Sequence, residues 1–340
     1  MKTYAGIDLH SSNNYLGIID SDDKRLFSRR LPNCIDAVVA ALKPFRQTLT
    51  GIAVESTYNW YWLVDGLQSA GHKLHLANPS AIQQYEGLKH TDDKWDSFWL
   101  AHMLRLGILP EGYIYPKKQR PIRDLLRRRL FFVQKRTSHI MSLQSMFTRH
   151  LAGKISSNDI KKLKPESADQ LFKDPYVALA AQNNIDTIRF LTTKIRNMEN
   201  MILPKAKMQK PFQILTSTPG IGRILGLTIM LEVGDIHRFH AVGNYASYCR
   251  CVKSTKISNN KKKGQGNRKN GNKYLAWAYV EAAHLIIRHC PEANRFYQRK
   301  KAKANGAVAT KALANKLARA NFYMLKDQVA FDKEKLFPYR

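Results

Sequence analysis

Cysteine is sparse in this chain: Cys34, Cys249, Cys251 and Cys290 stand alone among 340 residues, with no Cys-x-x-Cys spacing. That excludes a disulfide scaffold and leaves no thiolate zinc motif. Long apolar runs are missing too. No uninterrupted stretch approaches the length of a bilayer span, and the opening MKTYAGIDLH lacks the apolar core of a signal peptide, so an intracellular protein without a membrane segment is expected. Acidic residues are the third scarcity. There are 26 Asp plus Glu against 56 Lys plus Arg, for a net charge of +30.

Hydrophobic residues at 44% and charged residues at 24% are ordinary for a globular protein, and the length suits two or three domains. The charge is unevenly spread. Residues 1–106 hold 11 basic and 11 acidic residues, residues 107–249 hold 23 and 10, and residues 250–340 hold 22 and 5. A neutral, acid-bearing first part joined to strongly basic later parts suggests chemistry in one place and a grip on nucleic acid in the others.

The most basic stretch runs from Arg250 to Lys273, RCVKSTKISNNKKKGQGNRKNGNK. Eight cationic residues, Lys253, Lys256, Lys261, Lys262, Lys263, Arg268, Lys269 and Lys273, occur between Lys253 and Lys273 with no acid among them. Such a stretch builds no core and points to a polyanion. It reads as a basic loop, mobile until nucleic acid meets it. Ser254, Thr255 and Ser258 lie within it, each either a nucleophile or a phosphate hydrogen-bond donor.

At the start of the chain, Thr3–Leu9, Tyr15–Asp20 and Lys24–Leu31 read as strands of an antiparallel meander, separated by the turn sequences HSSNN and SDD. A helix over Ile35–Leu49 follows, then an apolar strand Gly51–Val54 ending in Glu55, a helix from about Asn59 to Ala70, and a strand His72–Ala77. Pro79–Tyr85 reads as a helix start and Asp93–Leu106 as a helix. The order βββαβαβα describes a mixed sheet flanked by helices. Asp8 and Glu55 end strands, and Asp93 and Asp96 share a face of one helical turn. These four carboxylates could hold a pair of magnesium ions, or could simply end strands and favour a helix N-terminus.

Arg123–His150 predicts a long basic amphipathic helix and Tyr176–Ile202 a second one, together a hairpin or coiled coil. Arg127, Arg128 and Arg129 form a cluster that no core requires, which favours dimerisation and nucleic-acid binding over a plain spacer. Within Phe212–Gly234, Pro219-Gly220-Ile221-Gly222 is a helix-hairpin-helix signal. There Gly220 and Gly222 would let backbone amides approach a phosphate, or would serve an ordinary tight turn. Helices are further expected around Ala241–Cys249, over Lys273–His289 and over Val308–Leu325.

GIDLH at the start, VEST at Val54–Thr57, DKWDSFWLA at Asp93–Ala101, TPGIG at Thr218–Gly222 and KNGNKYLAWAYVEAA at Lys269–Ala283 together resemble the DEDD-type transposases of the insertion-sequence one-ten group, kin to the Piv site-specific DNA invertases. The resemblance implies three parts: an α/β RuvC-like (RNase H-type) domain over residues 1–110, an all-α coiled-coil dimerisation segment over 117–205, and a helical transposase domain over 211–335. It implies an acidic tetrad of Asp8, Glu55, Asp93 and Asp96 holding Mg2+, with two ions expected. Ser258 would attack the DNA phosphodiester to give a phosphoserine link, with Ser254 as its competitor. Donor and target DNA, a structured bridge RNA and a dimer assembling to a tetramer are the implied partners, in the cytoplasm of a bacterial or archaeal cell, at the nucleoid. The rival activities are a metal-dependent nuclease or junction resolvase using water, and an invertase without a guide RNA.

Overall fold

The computed structural model describes residues 1–82, 92–206, 209–253, 256–264 and 270–338, and the chain divides into two compact units, Met1–Lys117 and Lys118–Arg340. In the first, β1 (Thr3–Leu9), β2 (Asn13–Asp20) and β3 (Arg25–Pro32) form the expected antiparallel meander. Next come α1 (Ile35–Leu42), β4 (Leu49–Glu55), α2 (Tyr61–Ser69), β5 (Leu74–Ala77) and α3 (Asp93–Arg105). Parallel pairing of β1 with β4 and of β4 with β5 gives the order β3-β2-β1-β4-β5, the mixed sheet expected of an RNase H-type domain.

Two expected helices differ. The one over Ile35–Leu49 stops at Leu42, and a short 3-10 turn over Lys43–Phe45 replaces its end. Pro44 is the reason, since it has no N–H to donate to the carbonyl four residues earlier and its ring crowds that carbonyl. Pro79–Ala81 forms a turn rather than a helix start, and residues 83–85 of that expected helix lie outside the described residues.

The layering over the sheet follows from two glycines. Gly6 on β1 faces Gly17 on β2, and a Cβ on Gly6 would lie 2.0 Å from the carbonyl oxygen of Ser97. At Gly17 it would lie 2.7 Å from Ser97 Oγ. The pair leaves a notch into which α3 sinks at Ser97 and Ala101, both fully buried. The backbone of α3 is thereby set against β1, and with it the acids of its first turn.

The second unit begins with α4 (Arg120–Leu151) and continues through the short α5 (Ser157–Ile160) and α6 (Ser167–Leu171) to α7 (Pro175–Ala206). The two long helices form an antiparallel hairpin, with the rungs Arg129–Glu199, Arg136–Thr192 and His139–Asn184 in descending order. Its distal core packs Ile140, Leu143 and Phe147 against Ile185, Ile188 and the short helices. At the other end, Leu126 and Ile202 join the main core of the unit.

That core is built by α8 (Lys210–Thr216), α9 (Arg223–Val233), α10 (Val242–Tyr248), α11 (Lys273–His289), α12 (Pro291–Lys303), α13 (Gly306–Asp327) and α14 (Lys333–Leu336), and a two-stranded hairpin, β6 (Lys256–Ser258) and β7 (Lys261–Gly264), comes between α10 and α11 in the chain. Among the described residues no helix is long and apolar enough to cross a membrane.

Candidate active site

β1 is buried along almost its whole length, and Asp8 near its end is only 3% exposed. Ile7 pairs with Val54 in the parallel ladder, so the next residues, Asp8 and Glu55, emerge side by side at the carboxyl edge of β1 and β4. There the Glu55 carboxyl is pushed up to about 8. Burial is the main cause, followed by its hydrogen bond with Asp8 and the charges of Asp8 and Asp96. Carboxylates at this range cannot all ionise without a counter-charge.

α3 brings the other two acids. Asp92 caps the helix by accepting a hydrogen bond from Trp95 N at 2.7 Å, which leaves Asp93 and Asp96 in the first turn. Asp96 is also raised, by burial first and then by the charges of Asp8, Asp93 and Asp92, with His10 acting in the opposite sense. The four acids named from the sequence therefore share one electrostatic site.

His10 is a fifth member that sequence reasoning missed. Its Nε2 lies 3.0 Å from Asp8 Oδ2 and 3.2 Å from Asp93 Oδ1. Despite those distances, Nε2 and Asp8 Oδ2 are both buried without a hydrogen bond of acceptable geometry. One ligand atom each from Asp8, His10 and Asp93 lies within 4.8 Å of the others. Buried, unpartnered atoms of carboxylate and imidazole facing one point are the donor set of a divalent cation, so these residues fit one. The His10 carbonyl is fixed by Asn33 Nδ2 at 3.0 Å and Asn59 Nδ2 at 2.9 Å. The available signal was the Asp-x-His spacing, which puts both side chains on one side of an extended chain.

In the second unit, the ends of the basic stretch are pinned together. Arg250, at φ 54°, donates from Nε to Asn270 O at 3.1 Å and from Nη2 to Gly271 O at 2.9 Å. Gly271 has φ +88°, and a Cβ there would lie 2.5 Å from Tyr248 O, so this position requires glycine. Asn272 then caps α11, accepting from the backbone of Tyr274 and Leu275, and donates to Glu232 Oε2 at 2.7 Å.

Between these ends, residues 256–264 form a β-hairpin where the sequence suggested a loop. Ser258 pairs with Lys261 across Asn259 and Asn260, whose φ values of 50° and 56° are those of a type I′ turn. Ser258 is exposed beside that tip, as are Lys261 and Lys263, while Lys253 and Lys273 are exposed near the two ends of the stretch. Lys256 and Lys262 lie in β6 and β7. Ser254, Thr255, Arg268 and Lys269 lie outside the described residues.

Contrary to the sequence expectation, a core does require part of the arginine cluster. Glu232 on α9 is 1% exposed and accepts from Arg123 Nε at 3.0 Å and Arg127 Nη2 at 2.8 Å. Burial raises its pKa, but the hydrogen bonds and charges of Arg127 and Arg123 and the hydrogen bond of Asn272 outweigh that and hold it below the usual range. Arg127 also stacks over Tyr274 at 4.4 Å, and Arg129 pairs with Glu199. Arg128 alone of the three is exposed.

Gly220, at φ +86°, spends its missing side chain inside the protein: a Cβ would lie 2.6 Å from the backbone of Ile286 on α11. Gly222, the N-cap residue of α9, has open space where its Cβ would be.

The family profile described as transposase IS116/IS110/IS902 matches residues 212–298, and an IS110-type DEDD transposase profile matches residues 5–151. The putative transposase y4qE of Sinorhizobium fredii is 23% identical over 292 residues, covering 83% of this chain and 71% of its own length. The transposase for insertion sequence element IS1111A of Coxiella burnetii is 23% identical, covering 84% of this chain and 78% of the relative.

Proposed function

The chain belongs to the IS110 family of transposases, and we propose that it cuts and rejoins DNA through Ser258 together with Asp8, Glu55, Asp93 and Asp96. The observation that carries the metal half of this reading is the Glu55 carboxyl, pushed up to about 8 where four acids meet. Two magnesium ions held there would polarise the scissile phosphate and stabilise the departing 3′ oxygen.

The exposure of Ser258 beside a turn flanked by lysines supports this role. Attack by its Oγ forms a P–Oγ bond and breaks the P–O3′ bond. The hydroxyl gives up its proton, the leaving oxygen takes one, and the strand ends as a 3′-hydroxyl and a phosphoserine. One phosphodiester replaces another, so rejoining needs no external energy source. Lys253, Lys256, Lys261, Lys262, Lys263, Arg268, Lys269 and Lys273 would hold the strand by its phosphates.

The acids belong to the first unit and Ser258 to the second, so activity requires the two to meet on DNA, from one protomer or from two. A dimer that pairs to a tetramer is supported by an exposed stripe on α7, where Leu179, Phe190 and Met201 recur every 11 residues. Target choice is assigned to a bridge RNA, which the basic second unit would bind; sequencing RNA that co-purifies with the protein tests this, and absence of a discrete species would favour direct readout by protein.

Because the whole tetrad lies within the first unit, a hydrolytic reading is the alternative, with water as nucleophile. A cleavage assay on donor DNA separates the two. Ser258→Ala and Asp8→Asn should both abolish strand cutting, whereas a Ser258→Ala protein that still cuts would support hydrolysis.

A further inference from the structure

A groove of about 1090 Å3 opens along α13 in the second unit. Val308, Lys311, Asn315, Arg319, Tyr323 and Asp327 line it at spacings of three and four, so one face of the helix supplies a wall about 28 Å long. The opposite face of the same helix, at Leu313, Ala314 and Leu317, is in the core. Phe296 of α12 and Phe331 and Leu336 near the chain end complete an apolar floor.

The rim has the opposite character. Lys253, Lys300, Lys311, Lys316, Arg319 and Lys335 border the groove against only two acids, Asp327 and Asp332. Tyr323 is 48% exposed, and Lys316 Nζ sits 5.6 Å from the Phe296 ring. A cation over the half-buried Phe296 ring, in a groove that also exposes Tyr323, suits a ligand that carries negative charge and flat apolar surfaces together. A duplex offers phosphates but keeps its base faces stacked; an unpaired strand offers both. The groove is also continuous with the basic stretch, since Cys251, Val252 and Lys253 are among its lining residues.

We propose that this groove binds single-stranded DNA flanking the cut site, with bases against Tyr323 and the apolar floor and phosphates on the lysine rim. The choice of DNA rests on the proposed function, in which the strand cut at Ser258 is DNA; the groove's preference for an unpaired strand does not.

Binding without cleavage tests it. Fluorescence anisotropy of the full chain in EDTA would follow labelled oligonucleotides of about 12 nucleotides, as single-stranded DNA, RNA of the same sequence, and duplex DNA. Tyr323→Ala should weaken single-stranded DNA about tenfold and leave the duplex unchanged, and Tyr323→Trp should retain binding. A bromodeoxyuridine-substituted strand should crosslink to the peptide bearing Tyr323. Unchanged single-strand affinity in Tyr323→Ala, or crosslinks only outside the groove, would overturn the site. Tighter, Tyr323-dependent binding of RNA would overturn the assignment to DNA. Because no cutting is measured, an error in the role of Ser258 would not alter the groove result.

Discussion

His10 Nε2 stands 3.0 Å from Asp8 Oδ2, and neither atom has a hydrogen-bond partner. Two such atoms fit a shared cation as its ligands. Imidazole nitrogen favours later first-row metals over magnesium, so the protein should bind Mn2+ more tightly than Mg2+, and His10→Ala should narrow that difference. Calorimetric titration of both ions checks this; an unchanged Mn2+ to Mg2+ ratio in His10→Ala would remove His10 from the ligand set.

Glu55 makes stability depend on pH. Its carboxyl is raised from an ordinary 4.5 to about 8, so the metal-free fold binds a proton there that the unfolded chain releases. That contribution is complete below about pH 4.5 and is lost as pH rises through 8. The metal-free melting temperature of the first unit should therefore fall across that window, and added divalent cation should restore it. Glu55→Gln should flatten the pH dependence and abolish most of the cation effect.

Gly6 is the hinge between fold and site. A methyl group there would lie 2.0 Å from a backbone oxygen of α3, so Gly6→Ala should cost about 1–3 kcal/mol and move Asp93 and Asp96 away from Asp8. Thermal melts with and without Mn2+ should show lower stability and a smaller cation-induced rise than in the parent.

Removing Glu232 would leave Arg123 and Arg127 facing each other in a buried site. Glu232→Ala should cost about 3–5 kcal/mol in denaturant titration of the full chain. Its folded-state pKa lies below the ordinary 4.5, so its contribution is present above that value and disappears as pH falls through the lowered one. The difference between parent and Glu232→Ala should shrink in acid.

How much of this could be read in the sequence depended on how local the signal was. The meander of β1 to β3 and the turn chemistry between strands are short-range, and they stood where expected. Asp8, Glu55, Asp93 and Asp96 could be read because strand ends and helix starts carry local marks. Arg127 could not, because its partner Glu232 lies 105 residues away and nothing near Arg127 announces a buried carboxylate. The β6–β7 hairpin was hidden by lysine, whose charge speaks for a loop; only Asn259-Asn260 carried the turn signal. α12 was missed because a helix of sequence PEANRFYQRKKAK has almost no apolar face to detect.

The central claim is that Ser258 becomes covalently attached to DNA when the acidic group is intact. Trapping the protein on labelled donor DNA with Mg2+ and its co-purifying RNA, followed by protease digestion and mass spectrometry, should place a nucleotide on the peptide KISNNK at Ser258. No adduct should form in Ser258→Ala or Asp8→Asn. A nucleotide attached to Ser254 or any other residue, or full cutting with no adduct, would contradict the account.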